Sequence, residues 1–122
     1  MKLFIYLLLW LACCTDVQAV SLNSLPSGFT AKAVLTSDQV KLQYYESNKT
    51  AAPTSTVAPT IIFIPGWTMP GAIWFDEAAR LAKDYRVLVL DPRGQGKSQV
   101  PETGYNYGRR AADIADLIAH CQ

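Results

Sequence analysis

Three stretches of this 122-residue chain carry side chains and glycines at spacings that could do chemistry. Asp91-Pro92-Arg93-Gly94-Gln95-Gly96-Lys97-Ser98 follows an apolar run and ends in Gly-Lys-Ser, the close of a phosphate-binding loop. Such a loop also needs a glycine five residues ahead of the triplet, and a helix that starts on it, so that backbone N–H groups surround the phosphates. Here the glycine position is Asp91, whose carboxylate repels phosphate, and Pro101 and Gly104 stop a helix from running on from Ser98. Nucleotide chemistry is therefore rejected. The octapeptide reads instead as a tight strand exit. Gly94 and Gly96 supply positive φ or close backbone approach, Asp91 accepts backbone N–H groups, Arg93 anchors a carboxylate or carbonyl, and Ser98 serves as a turn or cap hydroxyl.

The second stretch, Pro65-Gly66-Trp67, ends another apolar run, Ile61-Ile62-Phe63-Ile64. The third is His120, the only histidine, near the end of an amphipathic segment. A nucleophilic serine needs a base, and the base needs a carboxylate to hold its tautomer. No Gly-x-Ser-x-Gly occurs anywhere in the sequence. His120 reads as a surface residue near a helix terminus.

These stretches must be placed by regular elements. Residues 30–46 have the pattern of a β-hairpin, with Ser37-Asp38 at its turn and Val40, Leu42 and Tyr44 alternating after it. Ser47 to Thr60 is a Pro/Thr/Ala-rich surface loop holding an Asn48-Lys49-Thr50 glycosylation sequon. The runs 61–64 and 85–90 have the continuous apolar character of strands buried on both faces, which belong to parallel sheets. Between them, residues 72–84 carry a helical pattern with Trp74, Ala78, Leu81 and Ala82 on one face. Asn106 is an N-cap for a helix over 107–121, whose apolar stripe is Ala111, Ile114, Ala115 and Ile118, widened by Leu117 and Cys121.

Both glycine-bearing turns, in this order and separated by one helix, resemble the α/β-hydrolase fold superfamily. "DPRGQGKS" is similar to its Asp-x-Arg-Gly-x-Gly-x-Ser turn after the fourth strand, and "IIFIPGWTMPGAIW" to its third strand and oxyanion loop. The resemblance covers residues 30–122. It implies an α/β fold: the N-terminal part of a hydrolase sheet, a β-hairpin and then β-α-β-α, forming an incomplete doubly wound, mostly parallel sheet. The implied strand order is first, second, fourth, third. The resemblance also implies that Gly66 shapes the oxyanion turn and that the Trp67 backbone N–H donates to the developing oxyanion, with packing as the other role open to Trp67. Pro65 stands where the family has histidine. The family's nucleophile, acid and histidine follow later in its chains, so His120 takes no catalytic role.

Two functions follow. The chain is the N-terminal fragment of an esterase- or lipase-like serine hydrolase acting on small ester-like substrates, or a non-catalytic binding module that keeps part of the fold. A net charge of +1 gives no footprint for nucleic acid, and no cofactor or metal cluster is legible. Residues 1–19 have the basic start, short apolar core and Val17-Gln18-Ala19 site of a signal peptide. They point to a secreted mature chain from 20 to 122 with no stable membrane span. A lipid anchor through Cys13 or Cys14 is the alternative. With a cleaved leader only Cys121 remains, so no internal disulfide can form. The apolar run 61–64 is also expected to be an open sheet edge prone to self-association.

Overall fold

The computed structural model describes residues 24–48 and 59–122. The expected leader over residues 1–19, with Cys13 and Cys14, and Lys49 and Thr50 of the sequon lie outside that range.

The hairpin forms as strands β1 (Phe29–Leu35) and β2 (Lys41–Ser47), paired antiparallel with Phe29 opposite Ser47 and Leu35 opposite Lys41. Its turn is closed by Thr36, whose N–H donates to the Val40 carbonyl, and by Gln39 in the left-handed region at φ 65°. Strand β3 (Thr60–Phe63) leads through a loop into a 3-10 turn (Gly71–Trp74) and helix α1 (Phe75–Leu81). Strand β4 (Arg86–Leu90) and helix α2 (Tyr107–Cys121) complete the order. The sheet runs β1-β2-β4-β3, with β4 antiparallel to β2 and parallel to β3. That is the order expected from the resemblance, and the β3-α1-β4 segment is one parallel crossover unit.

Alternation along the strands builds two cores, one on each sheet face. Leu88 and Leu90 point with Leu42, Tyr44 and Val34 toward Leu117 of α2, and Ile62 and Ile114 pack against them. Val87 and Val89 point the other way with Phe29 and Tyr45, toward Phe75 and Ala78 of α1, with Ile61, Phe63 and Trp74 alongside. One helix on each face of a central sheet is the three-layer arrangement that strands buried on both sides require. None of the helices among the described residues is long and apolar enough to cross a membrane.

Three details differ from the sequence expectation. First, β3 is only half-buried and ends at Phe63, leaving Ile64 40% exposed. Among the described residues it has a neighbour on one side only, which is the open edge expected of this run and the reason for its partial exposure. Second, the segment 72–84 divides into a 3-10 turn and a two-turn α-helix, with Phe75 as its buried aromatic in addition to Ala78. Third, α2 is rotated about its axis relative to the apolar stripe. Leu117 and Asp113 are buried, whereas Ala111, Ala115 and Ile118 are exposed. An aspartate faces inward there because Arg93 meets it, which turns the alanine row toward solvent. The N-cap is as expected: the Asn106 side chain accepts from the Arg109 N–H at 2.9 Å.

Candidate functional site

The exit turn of β4 is organised around the carboxylate of Asp91, which is 1% exposed. Its Oδ1 accepts the Gly71 N–H at 2.6 Å, and its Oδ2 accepts the Tyr45 hydroxyl at 3.0 Å and the Lys97 N–H at 2.9 Å. Three donors satisfy a charge that burial would otherwise make costly. Burial first, and then the Asp91 charge, pushes the Tyr45 phenol well above its ordinary range, so it stays protonated and keeps donating. Gly96 lies at φ 53°, and a Cβ there would sit 2.2 Å from the Asp91 carboxyl carbon. Only a residue without a side chain lets the turn fold over its own carboxylate.

Asp91 therefore does more than close its own turn. Through Gly71 it fastens the loop that leaves β3. Gly71 itself lies so close to β4 that a Cβ would meet the Leu90 carbonyl oxygen at 2.7 Å. The loop 64–70 is thus pinned at one end by β3 and at the other by the β4 turn. Pro65 is buried, and Gly66, Trp67, Thr68 and Met69 are exposed. The Met69 N–H donates to the Gly66 carbonyl at 3.3 Å, and no acceptor among the described residues takes the Trp67 N–H. The left-handed residue of this loop is Thr68, at φ 65°, and Gly66 is not in that region. A β-branched residue there costs on the order of 1–3 kcal/mol and persists only when its surroundings impose it. Nothing in the residue type signals this.

The remaining turn residues are placed as follows. Ser98 is buried; its hydroxyl donates to the Asp91 carbonyl and accepts the Gln43 N–H at 2.8 Å, tying the turn to β2. Gly94, at φ 74°, lies beneath the Tyr105 ring, where a Cβ would come within 2.7 Å. Arg93 is 1% exposed and grips Asp113 of α2 with two bonds of 2.6 Å, from Nε to Oδ2 and from Nη2 to Oδ1. The same Nη2 donates to Asp38 at the β1–β2 turn at 3.0 Å. Asp113 beside it holds the guanidinium firmly charged. Gly104, at φ 89°, leaves the room that Arg93 Nη1 occupies. His120 is exposed and stands edge-on to Tyr44, with ring centroids 6.1 Å apart. Asp38 and Asp113 were missed from the sequence because neither sits in a motif. The pairing of Asp113 with Arg93 exists only once α2 packs on the sheet, and that of Asp38 only once the β4 exit turn meets the hairpin.

The Trp67 side chain is 59% exposed. Its ring meets Tyr105 edge-on at 6.3 Å between centroids, and the Arg110 guanidinium carbon stacks 4.9 Å from its centre. Among the described residues there is no group of three or more His, Cys, Asp or Glu side chains that could hold a metal ion.

The family model described as "alpha/beta hydrolase fold" matches residues 59–121, the span that holds both of these turns. The chain belongs to that family. It is 38% identical over 60 residues to a 2-(acetamidomethylene)succinate hydrolase of Mesorhizobium japonicum, covering 49% of this chain and 22% of that protein. It is 36% identical over 58 residues to a non-heme chloroperoxidase of Streptomyces lividans, covering 47% of this chain and 21% of that one. An esterase structure from Exiguobacterium antarcticum superposes with a TM-score of 0.65 at 25% identity, over 75% of this chain and 32% of the esterase. The chain spans about a fifth of the length of these curated relatives.

Proposed function

We infer that this chain is the N-terminal portion of a secreted serine hydrolase of the esterase- and lipase-like class, carrying the oxyanion loop and lacking the nucleophile elbow, acid and histidine. One observation carries the reading. The Trp67 N–H lies in the loop that directly follows β3, is free of any acceptor among the described residues, and belongs to a loop pinned by Asp91. A preorganised donor of that kind stabilises a developing oxyanion, and losing one typically costs about 10²–10³ in rate. Small-molecule ester-like substrates suit the class, since the relatives include an esterase and a hydrolase of a small organic acid.

The 20–122 chain alone is expected not to hydrolyse p-nitrophenyl acetate above a Trp67→Ala control. The donor is a backbone group, and neither form has a serine and histidine placed to use it. Saturable turnover that survives repurification would overturn the assignment and direct attention to Ser98 and His120. Coding sequence beyond Gln122 that reads as a strand followed by Gly-x-Ser-x-Gly would support it. A second reading, a non-catalytic binding module, is favoured by the fact that both sheet faces already carry a core and a helix.

Export rests on the pattern of residues 1–19. N-terminal sequencing of protein recovered from medium is expected to begin at Val20. An intact Met1, or lipid on Cys13 or Cys14, would reassign the chain to a membrane.

A further inference from the structure

A cleft of about 540 Å³ opens beside the loop 64–70, lined by Pro65, Gly66, Trp67, Tyr105, Tyr107 and Arg110 together with the capping Asn106. Its walls are unusual for a surface. Trp67 is 59% and Tyr107 92% exposed, so two large aromatic faces stand open to solvent around one cation. Arg110 differs from the other arginines of β4, its exit turn and α2. Arg86 is paired with Glu46, Arg93 with Asp113 and Asp38, and Arg109 with Asp116 and Asp113. Arg110 is half-buried, stacks on Trp67, and has no carboxylate partner among the described residues. The nearby acids of its own helix, Asp113 and Asp116, are already engaged by Arg93 and Arg109.

We propose that this cleft binds a small organic carboxylate: the guanidinium of Arg110 takes the carboxylate, and the body of the ligand lies against Trp67 and Tyr107. Stacking on Trp67 uses the face of the guanidinium and leaves its edge N–H groups free for a two-point grip on a planar anion. One cation matches a single carboxylate better than a doubly charged phosphate. The position is held rigidly, because Tyr105, which buttresses Trp67, donates its hydroxyl to the Pro101 carbonyl at 2.7 Å and rests on Gly94. The inference rests on the hydrolase reading only for its meaning. There it makes Arg110 a specificity residue that selects acids carrying the scissile group close to Trp67. Binding itself needs no chemistry.

The test is a titration of the 20–122 chain with benzoate and with benzamide, its uncharged counterpart of similar shape, read by tryptophan fluorescence. In the mature chain the only tryptophans are Trp67 and Trp74, and Trp74 packs in the core below β3. Benzoate is expected to give a saturable change and to bind about tenfold or more tighter than benzamide, the usual worth of a charge-assisted hydrogen bond. Arg110→Gln should abolish that preference while leaving the circular dichroism spectrum unchanged. Equal affinity for the two probes, no saturable change with either, or an Arg110→Gln chain that still prefers benzoate would each overturn the proposal. The two probes are compared on one sample, so the proposal can fail on the unsubstituted chain whether or not the variant folds. Ester turnover enters nowhere, so failure of the hydrolase assignment and failure of this site are separately visible.

Discussion

The chain from Val20 to Gln122 is expected to unfold in urea at a midpoint that rises with protein concentration, and to scatter light as more than a monomer. The cause is β3. It pairs with β4 on one side, and among the described residues its other side presents unpaired backbone groups. Ile61, Ile62 and Phe63 carry no charge, and no bulge or proline interrupts them before Pro65. Natural sheets protect such edges with charges, prolines or bulges. The opposite edge shows the contrast: β1 carries Lys32, 2.6 Å from Glu46 of β2. Exposed Ile64 and the outward Ala111-Ala115-Ile118 row of α2 add apolar surface that association would bury. A monodisperse monomer with a concentration-independent, cooperative transition would show instead that the chain is a self-sufficient small module, and the fragment reading would fall with it.

Replacing Arg93 by alanine is expected to cost about 3–5 kcal/mol of unfolding free energy, the usual result of removing one partner of a buried ion pair. Asp113, whose side chain is 4% exposed, would keep only the weaker contact from Arg109 at 3.2 Å. Arg109→Ala, at a more exposed position, should cost much less. The same network fixes a dependence on acid. The Thr36 hydroxyl first, and then Arg93 and Arg109, hold the Asp38 carboxyl below its ordinary value. The Ser37 N–H first, and then its hydroxyl and Arg109, do the same for Asp116. Both folded values lie below the unfolded one, so their stabilisation is complete above the unfolded carboxylate value of about 3.9 and is lost as pH falls through the folded values. Urea midpoints should therefore be level from neutrality to about pH 5 and decline below about pH 4, with a shallower decline in Arg93→Ala. Loss of stability that begins near neutrality would contradict this assignment.

Much of this architecture is legible in the residues. The apolar run 85–90 reads as a strand buried on both faces, and Val87 to Leu90 are buried in β4; Asn106 caps its helix because its side chain is the right length to reach the Arg109 N–H. The glycines of the β4 turn announce positive φ, and Gly94 and Gly96 have it. The illegible parts have a common origin in contacts between distant segments. Asp113 reads as an outward polar residue until Arg93, twenty positions earlier, is known to meet it. Asp38 is a turn residue by its neighbours and an ion-pair partner only once the β4 exit turn brings Arg93 to the hairpin. Thr68 takes a conformation that its branched side chain disfavours, so no local rule points to it. In the loop 64–70, the resemblance points to Gly66 and Trp67, and the left-handed residue is Thr68.

The hydrogen bond from Gly71 to Asp91 also has a consequence in time. The residues that leave β3 are made before the carboxylate that fixes them, and Lys97, which completes that carboxylate's set of donors, is made later still. Trp67 and Thr68 are therefore translated before the carboxylate that anchors the far end of their loop at Gly71. That anchor needs the β4 turn closed over Asp91, with Gly71 held by its carboxylate. One end of the loop is held by a segment translated after it, so the anchored loop needs the whole β3-α1-β4 unit and the turn that follows it.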